Sequence, residues 1–285
     1  MKILLTGATG YIGSAVLDVL VEAGHRVLAP VRSESAAAVV TARGATAAVG
    51  DLSDVAWSAG LLADTDAAIH VAASDDSARL NLAVAEAVEQ EYGGTGRRFI
   101  LTSGIWEYGA GDDIRGDDVP NPPALVAWRV PIEERLLASA VATTIIVPGV
   151  VYGRDKGLLS LIVDAPRTAD GALTLIGDGA QHWTWVHVDD LARLYLRVLE
   201  HPAALGRVIA SDGASQTVRA VAEAAGSRAV SEPIEATRAR LGAAFADALL
   251  LDQQADGAEA RALGWIPEHA SVLGERALDR RAAVV

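Results

Sequence analysis

The 285-residue chain has no cysteine, one methionine, two phenylalanines and only two lysines, Lys2 and Lys156; the remaining 22 of its 24 basic residues are arginine. Without cysteine there are no disulfides, no thiolate metal sites and no thiol nucleophile. With so few lysines, any mechanism that needs a lysine at a given place can be tested by position alone. Apolar runs are short and broken by charge, so none reaches the roughly 20 residues of a membrane span. The opening M-K-I-L-L-T-G runs straight into a strand pattern without a secretory layout. A net charge of −13 lacks the basic excess that neutralises phosphates, which argues against non-specific nucleic-acid binding and fits solubility in the cytoplasm. No His, Asp or Glu cluster shows metal-ligand spacing.

What is present is core material, at 51% hydrophobic residues, in a length that suits one large α/β domain or a domain with a smaller lobe. Short apolar runs at 2–6, 26–31, 46–49, 66–72, 98–102 and 143–148 read as strands. Helical patterns lie between them at 13–23, 34–43, 54–62, 77–92 and 124–140. In the first helix the apolar stripe is Ala15, Val16, Val19, Leu20 and Ala23, stopped by Gly24. Strand–helix alternation predicts a parallel sheet with right-handed crossovers over residues 1–150. After Gly149 the rhythm changes: strands are predicted at 171–176 and 182–188 around the turn 177–179, then a helix at 189–200, then mostly helix. Residues 151–285 are expected to form a lobe packed on the first part.

The strongest motif is T-G-A-T-G-Y-I-G, Thr6 to Gly13, following a strand and opening a helix. Gly7 permits a tight turn, Gly10 lets backbone approach a pyrophosphate, and Gly13 allows close helix–strand packing. The helix N-terminus then offers free N–H groups and a positive dipole end.

This spacing resembles the extended short-chain dehydrogenase/reductase superfamily, the NAD(P)-dependent epimerase/dehydratase-like proteins. Further segments agree in order: Gly50-Asp51-Leu52, His70-Val71-Ala72-Ala73, Thr102-Ser103-Gly104 with Tyr108-Gly109, Pro148-Gly149-Val150-Val151-Tyr152-Gly153, and Trp185-Val186-His187-Val188-Asp189-Asp190. Beyond about residue 200 only Leu263-Gly264-Trp265-x-Pro267 is similar. The resemblance implies an α/β fold, a Rossmann-type doubly wound parallel sheet with a smaller C-terminal substrate-binding lobe. It implies cofactor contacts from Thr6, Gly7, Thr9, Gly10, Tyr11, Ile12, Gly13, Asp51, Leu52, Ala72, Ala73, Thr102 and Pro148. It also implies a homodimer paired through 77–92 and 124–140, the latter bent at Pro131.

The second strand ends Val31-Arg32-Ser33 with no carboxylate before Glu34. An acidic residue there usually binds the ribose of NAD, whereas a guanidinium can pair with a 2′-phosphate and a serine hydroxyl can add a bond. Arg32 and Ser33 therefore point to NADP(H) over NAD(H); the alternative is a solvated surface arginine. Arg26 and Arg43 are less specific candidates.

The family's Tyr and Lys, four residues apart, belong on the helix 124–140, which here contains neither. Either alignment places Leu125 or Val126 at the Tyr position, and Arg129 or Val130 at the Lys position. A literal Y-x-x-x-K occurs at Tyr152–Lys156, but in a loop setting. The pattern is similar to atypical members that lack the dyad. Proton donors to weigh are Tyr108, Tyr152, Ser103, His187 or a bound water. Arg129 either orients substrate or cofactor ribose or pairs with Glu133 one helical turn on. Trp106, Trp183 and Trp185 either line an apolar or aromatic substrate's cleft or belong to the core. Asp112-Asp113 and Asp117-Asp118 read as solvated, and Asp189 and Asp190 as caps of the following helix.

These features predict an NADP(H)-dependent oxidoreductase reducing a C=O, C=N or activated C=C bond of a small organic substrate, with a non-standard proton donor. The alternatives are a nucleotide-sugar epimerase or dehydratase, whose chemistry also leans on the missing Tyr, and a non-catalytic NADP-binding sensor.

Overall fold

A computed structural model describes residues 1–225 and 228–274. The first hundred residues alternate strictly. They run β1 (Lys2–Thr6), α1 (Tyr11–Glu22), β2 (Arg26–Val31), α2 (Glu34–Ala42), β3 (Thr46–Val49), α3 (Val55–Ala63), β4 (Ala67–His70), α4 (Ser77–Tyr92) and β5 (Arg98–Thr102). A 3₁₀ turn at Ile105–Tyr108 follows, then α5 (Arg129–Ala138) and β6 (Ala142–Pro148). Next come β7 (Val150–Gly153), β8 (Lys156–Gly157), α6 (Ser160–Val163), β9 (Leu173–Thr174), β10 (His182–His187), α7 (Val188–Glu200) and β11 (Gly206–Ala210). The remaining elements are β12 (Ser215–Thr217), α8 (Val218–Ala224), β13 (Ala229–Val230), α9 (Ile234–Leu241), α10 (Ala243–Leu249), α11 (Ala258–Ala262) and a second 3₁₀ turn at Val272–Gly274.

Seven strands form one sheet in the order β11-β6-β5-β4-β1-β2-β3. The pairings from β3 through β6 are parallel. Order reverses beside β1, with β2 on one side and β4 on the other, which makes the carboxyl end of β1 the switch point where such sheets bind ligands. Parallel strands are covered on both faces, so they need apolar residues on both; accordingly all of β4 and the last four residues of β1 are buried. Helices α2, α3 and α4 each begin on an acid or hydroxyl cap, Ser33, Asp54 and Asp76, whose side chain accepts a first-turn N–H.

The chain divides into two compact units. Unit one is Met1–Ser103, Trp128–Ile146 and Leu191–Val208; unit two is Gly104–Ala127, Val147–Asp190 and the chain from Ile209 on. Where the pattern suggests one boundary after residue 150, the units interleave, because α7 and β11 return the chain to the main sheet. The stretch after 200, expected to be mostly helix, opens instead with β11; its five residues are too short for a distinctive period, and pairing in the sheet decides them. Unit two has its own four-stranded sheet, β12-β10-β7-β8, and a core that includes Tyr152, Trp183, Trp185, Leu173, Val221 and Leu249.

Three local expectations shift. In α1 the buried stripe is Gly13, Val16, Leu17 and Leu20 with Ala15, while Val19 is half-buried and Ala23 exposed. Helix α5 starts at Arg129, not 124, and Pro131 is its third residue. There its missing N–H has no helical partner to lose, so it marks the helix start rather than a bend. Within 171–176 only Leu173–Thr174 is strand, paired with β13. Among the described residues no helix is long and apolar enough to cross a membrane.

Candidate cofactor cleft and the polar clusters around it

The glycine turn is built by exclusion. Gly7 takes φ +71°, and a methyl group there would lie 2.8 Å from Ala72 N. Gly10 N donates to Gly7 O at 2.8 Å, closing the turn. A methyl on Gly13 would overlap that same carbonyl oxygen and come within 2.9 Å of Val71 Cγ2. Helix α1 starts at this point with no side-chain cap. Its first turn therefore has no side-chain acceptor from a cap and carries the positive dipole end.

Above them lies a cleft of about 600 Å³ within unit one. Gly7, Thr9, Gly10, Tyr11, Ile12 and Gly13 form its floor, and Asp51, Leu52, Ala72 and Ala73 line its walls. Arg32 stands at the rim, its guanidinium bonded to no other described residue. A glycine floor at an uncapped helix start and a guanidinium at the rim together fit a dinucleotide with extra phosphate charge. Five lining residues escape sequence reasoning: Ser53, Ser74, Asp76, Arg79 and Leu80. Arg79 has no motif signal, because only the turn into α4 brings it beside the loop after β3.

Other candidates sit elsewhere. Thr6 is buried beneath the floor, with Oγ1 2.7 Å from His70 Nδ1 and accepting the Val71 and Ala72 N–H groups at 3.3 Å. It ties β1 to the end of β4 instead of facing the cleft. Burial drives the His70 pKa down to about 4, so its ring is neutral. The Ser33 hydroxyl caps α2, accepting Ala36 N–H at 3.2 Å, and is not part of the cleft lining. Arg43 is bonded to Asp18, through Nε at 3.1 Å, and to Ser14 O at 2.9 Å. Arg26 begins β2, at the strand's opposite end from Arg32. Both drop out as phosphate ligands.

A second, water-sized notch of about 10 Å³ lies between β5, α4 and α5. Thr102, Asn81, Arg129 and Glu133 line it, and Thr102 Oγ1 lies 2.6 Å from Tyr195 OH. The Arg129 guanidinium lies 5.4 Å from the Trp128 ring centre. Glu133, the carboxylate one turn on, is bonded to Arg207 at 3.3 Å. Ser103 is buried at the end of β5, its N–H donated to Ile146 O at 2.8 Å. Pro148 closes β6 and is buried.

Unit two holds the remaining candidates as packed groups. Tyr108 donates its hydroxyl to Gly116 O at 3.0 Å and is buried. Tyr152 is wholly enclosed, edge-on to Trp185 and His187 at 6.0 and 5.2 Å. Its would-be partner Lys156 is exposed across the β7–β8 hairpin, opposite Gly153, so buried phenol and solvated amine do not form a dyad. Trp183 and Trp185 are core, the Trp183 indole donating to Leu249 O at 2.9 Å; Trp106 packs edge-on against Phe245. Burial pushes the Asp212 carboxyl up to about 7, helped by the nearby Asp190 charge and opposed by the Ala214 N–H and the Tyr152 hydroxyl.

His187, Asp190 and His269 bring three potential metal donors within 4.8 Å, a cluster invisible to local spacing because residue 269 comes from far along the chain. The two rings stack at 3.5 Å and 14°, which aims their in-plane lone pairs side by side rather than at one point. Asp190 accepts the Glu268 and His269 N–H groups at 2.8 and 3.0 Å, and its own carbonyl accepts the Trp265 indole at 2.8 Å. Asp190 thus ties the Trp265–His269 segment to the first turn of α7, and Asp189 pairs with Arg154, Nε at 2.7 Å.

A family described as NAD(P)H-binding matches residues 7–202. Uncharacterized protein C2A9.02 of Schizosaccharomyces pombe is 31% identical over 214 residues, 72% of each chain. The 2-alkyl-3-oxoalkanoate reductase of Stenotrophomonas maltophilia is 29% identical over 222 residues, 70% of this chain and 66% of that one. Human epimerase family protein SDR39U1 with NADPH superposes with a TM-score of 0.74 at 20% identity, covering 100% of both chains. Thermus thermophilus UDP-glucose 4-epimerase with NAD gives 0.76 at 20% identity over 99% of both.

Proposed function

The chain belongs to the NAD(P)H-binding family, and on that premise we propose that it is an NADP(H)-dependent oxidoreductase reducing a C=O, C=N or activated C=C bond of a small organic substrate. The carrying observation is the cleft itself: a glycine floor at an uncapped helix start, with Arg32 unengaged at the rim where a ribose-binding acid would stand. The name of the Stenotrophomonas maltophilia relative, a reductase of an oxo acid, supports the reductive direction.

The N–H groups of Ile12 and Gly13 would hold the pyrophosphate, Arg32 the 2′-phosphate, Asp51 and Leu52 the adenine end, and Ala72 and Ala73 the wall along the dinucleotide. The bound cofactor supplies the hydride. Arg129 cannot act as a base, but a fixed guanidinium can steady negative charge developing on a substrate oxygen. The Tyr108 hydroxyl is spent on Gly116 O, and Tyr152 and His187 are buried in ring contacts, so Ser103 or a water is the proposed proton donor.

The test is a fluorescence titration with NADPH and NADH, followed by NADPH consumption across a panel of carbonyls, imines and enones. Tighter NADPH binding with turnover of at least one class is expected. Tight NADPH binding with no turnover on any class would favour the sensor reading. NADH binding as well as NADPH would remove the cofactor assignment.

A further inference from the structure

The cleft carries a second guanidinium that neither the glycine motif nor the strand-end pattern assigns. Arg79 lies in the first turn of α4 and lines the same cleft as Arg32. Between them the loop after β3 presents Asp51 and Ser53. The Asp51 carboxylate accepts both the Ser53 N–H at 2.9 Å and the Ser53 hydroxyl at 2.8 Å. With its proton given to Asp51, the Ser53 oxygen can only accept, and Arg79 Nη2 donates to it at 3.3 Å. That bond is long for N–H···O and uses one of the five guanidinium donors. The backbone of Arg79 is fixed separately, its N–H donated to the Asp76 cap at 3.2 Å.

Charge makes the position consequential. The cleft lining includes two carboxylates, Asp51 and Asp76, and two guanidiniums, Arg32 and Arg79. Without Arg79 that end would be net negative and would repel a doubly charged phosphate. With it, the two carboxylates of the lining are offset by two guanidiniums, Arg32 standing just past the end of β2 where a strand-end acid would otherwise meet the ribose hydroxyls. Arg32 arrives from the end of β2 and Arg79 from α4, so they approach from different walls.

We propose that Arg79 is the second arm of an anion clamp that closes with Arg32 on the 2′-phosphate of the adenosine, and that it sets discrimination between NADPH and NADH. This rests on the NADP(H) reading above. It adds a specificity-determining residue outside the segment after β2. Ser53, itself bonded to Asp51, holds the arm in place through one of its five donors.

The test is the equilibrium affinity of wild type, Arg79→Gln and Arg79→Gln/Asp51→Asn for NADPH and NADH, read by fluorescence titration, with cofactor-free melting confirming the fold. Loss of one charge-assisted contact is expected to weaken NADPH about tenfold in Arg79→Gln while NADH stays within about twofold. The double variant is expected to keep most of that loss, because removing the Asp51 charge does not replace the missing donors. Equal weakening of both cofactors, no weakening of either, or full recovery in the double variant would overturn the clamp. A wild type without NADPH preference would sink the cofactor reading and the clamp together. A preferring wild type whose ratio survives Arg79→Gln would sink the clamp alone.

Discussion

Gly13→Ala tests the cleft floor most directly. The added methyl would overlap the Gly7 carbonyl oxygen and approach Val71 Cγ2 to 2.9 Å. The side chain can adapt, but the carbonyl cannot move freely, because it already accepts Gly10 N–H at 2.8 Å and that bond defines the turn. Relief therefore costs overpacking of about 1–3 kcal/mol plus part of a hydrogen bond of about 1 kcal/mol. The sum, about 1–4 kcal/mol, corresponds to a fall of roughly 2–7 °C in melting temperature for a chain of this size. Displacing Gly7 and Gly10 also spoils the N–H cradle, so NADPH affinity should fall at least about tenfold. Gly60→Ala is the matched control: Gly60 lies inside α3 with nothing within 4 Å of its missing Cβ, so alanine should stabilise by about 0.5–1 kcal/mol and leave binding unchanged. Thermal melts and NADPH titration of both variants decide it. If Gly13→Ala melted with wild type and bound NADPH equally well, the steric account of the floor would be wrong.

Three further outcomes follow from buried groups. His70, held near a pKa of about 4 against 6.5 when unfolded, refuses a proton that the unfolded chain accepts; stability should fall by up to about 3 kcal/mol as pH drops from 6.5 to 4, and His70→Gln should flatten that slope in urea titrations. Asp212 runs the other way. Its folded pKa of about 7 lies above the ordinary 3.8, so its contribution is full in acid and is lost as pH rises through 4 to 7; Asp212→Asn should abolish that loss, and an unchanged pH profile would remove the assignment. Arg129→Ala should cut turnover at least about tenfold with little change in NADPH affinity, while Tyr152→Phe should act on stability alone. A steady-state comparison in which Tyr152→Phe loses turnover and Arg129→Ala keeps it would reverse the two roles.

Local chemistry made much of the molecule legible. The strands β1 to β6 are nearly continuous apolar runs with turn residues at their ends, and T-G-x-x-G-x-x-G needs no tertiary context to specify a phosphate-sized gap between strand and helix. The absence of lysine from 124–140 is likewise a fact of sequence, and it alone removes the usual Tyr–Lys dyad from α5. Arg32 was readable because its place is counted along the chain from Gly13.

Tertiary structure decided everything that depends on which side chains meet. Thr6 and Ser33 belong to the right segments, yet one bonds inward to His70 and the other caps a helix. Tyr152 and Lys156 have a dyad's spacing, but hairpin pairing sends one into the core and leaves the other in solvent. Arg79 meets Ser53 from 26 positions away, and His269 stacks on His187 from farther still. Spacing along a chain reports only residues that share one strand, helix or turn; burial and pairing between elements are set by the packing of the whole chain, and they chose which of the candidate groups face the cleft.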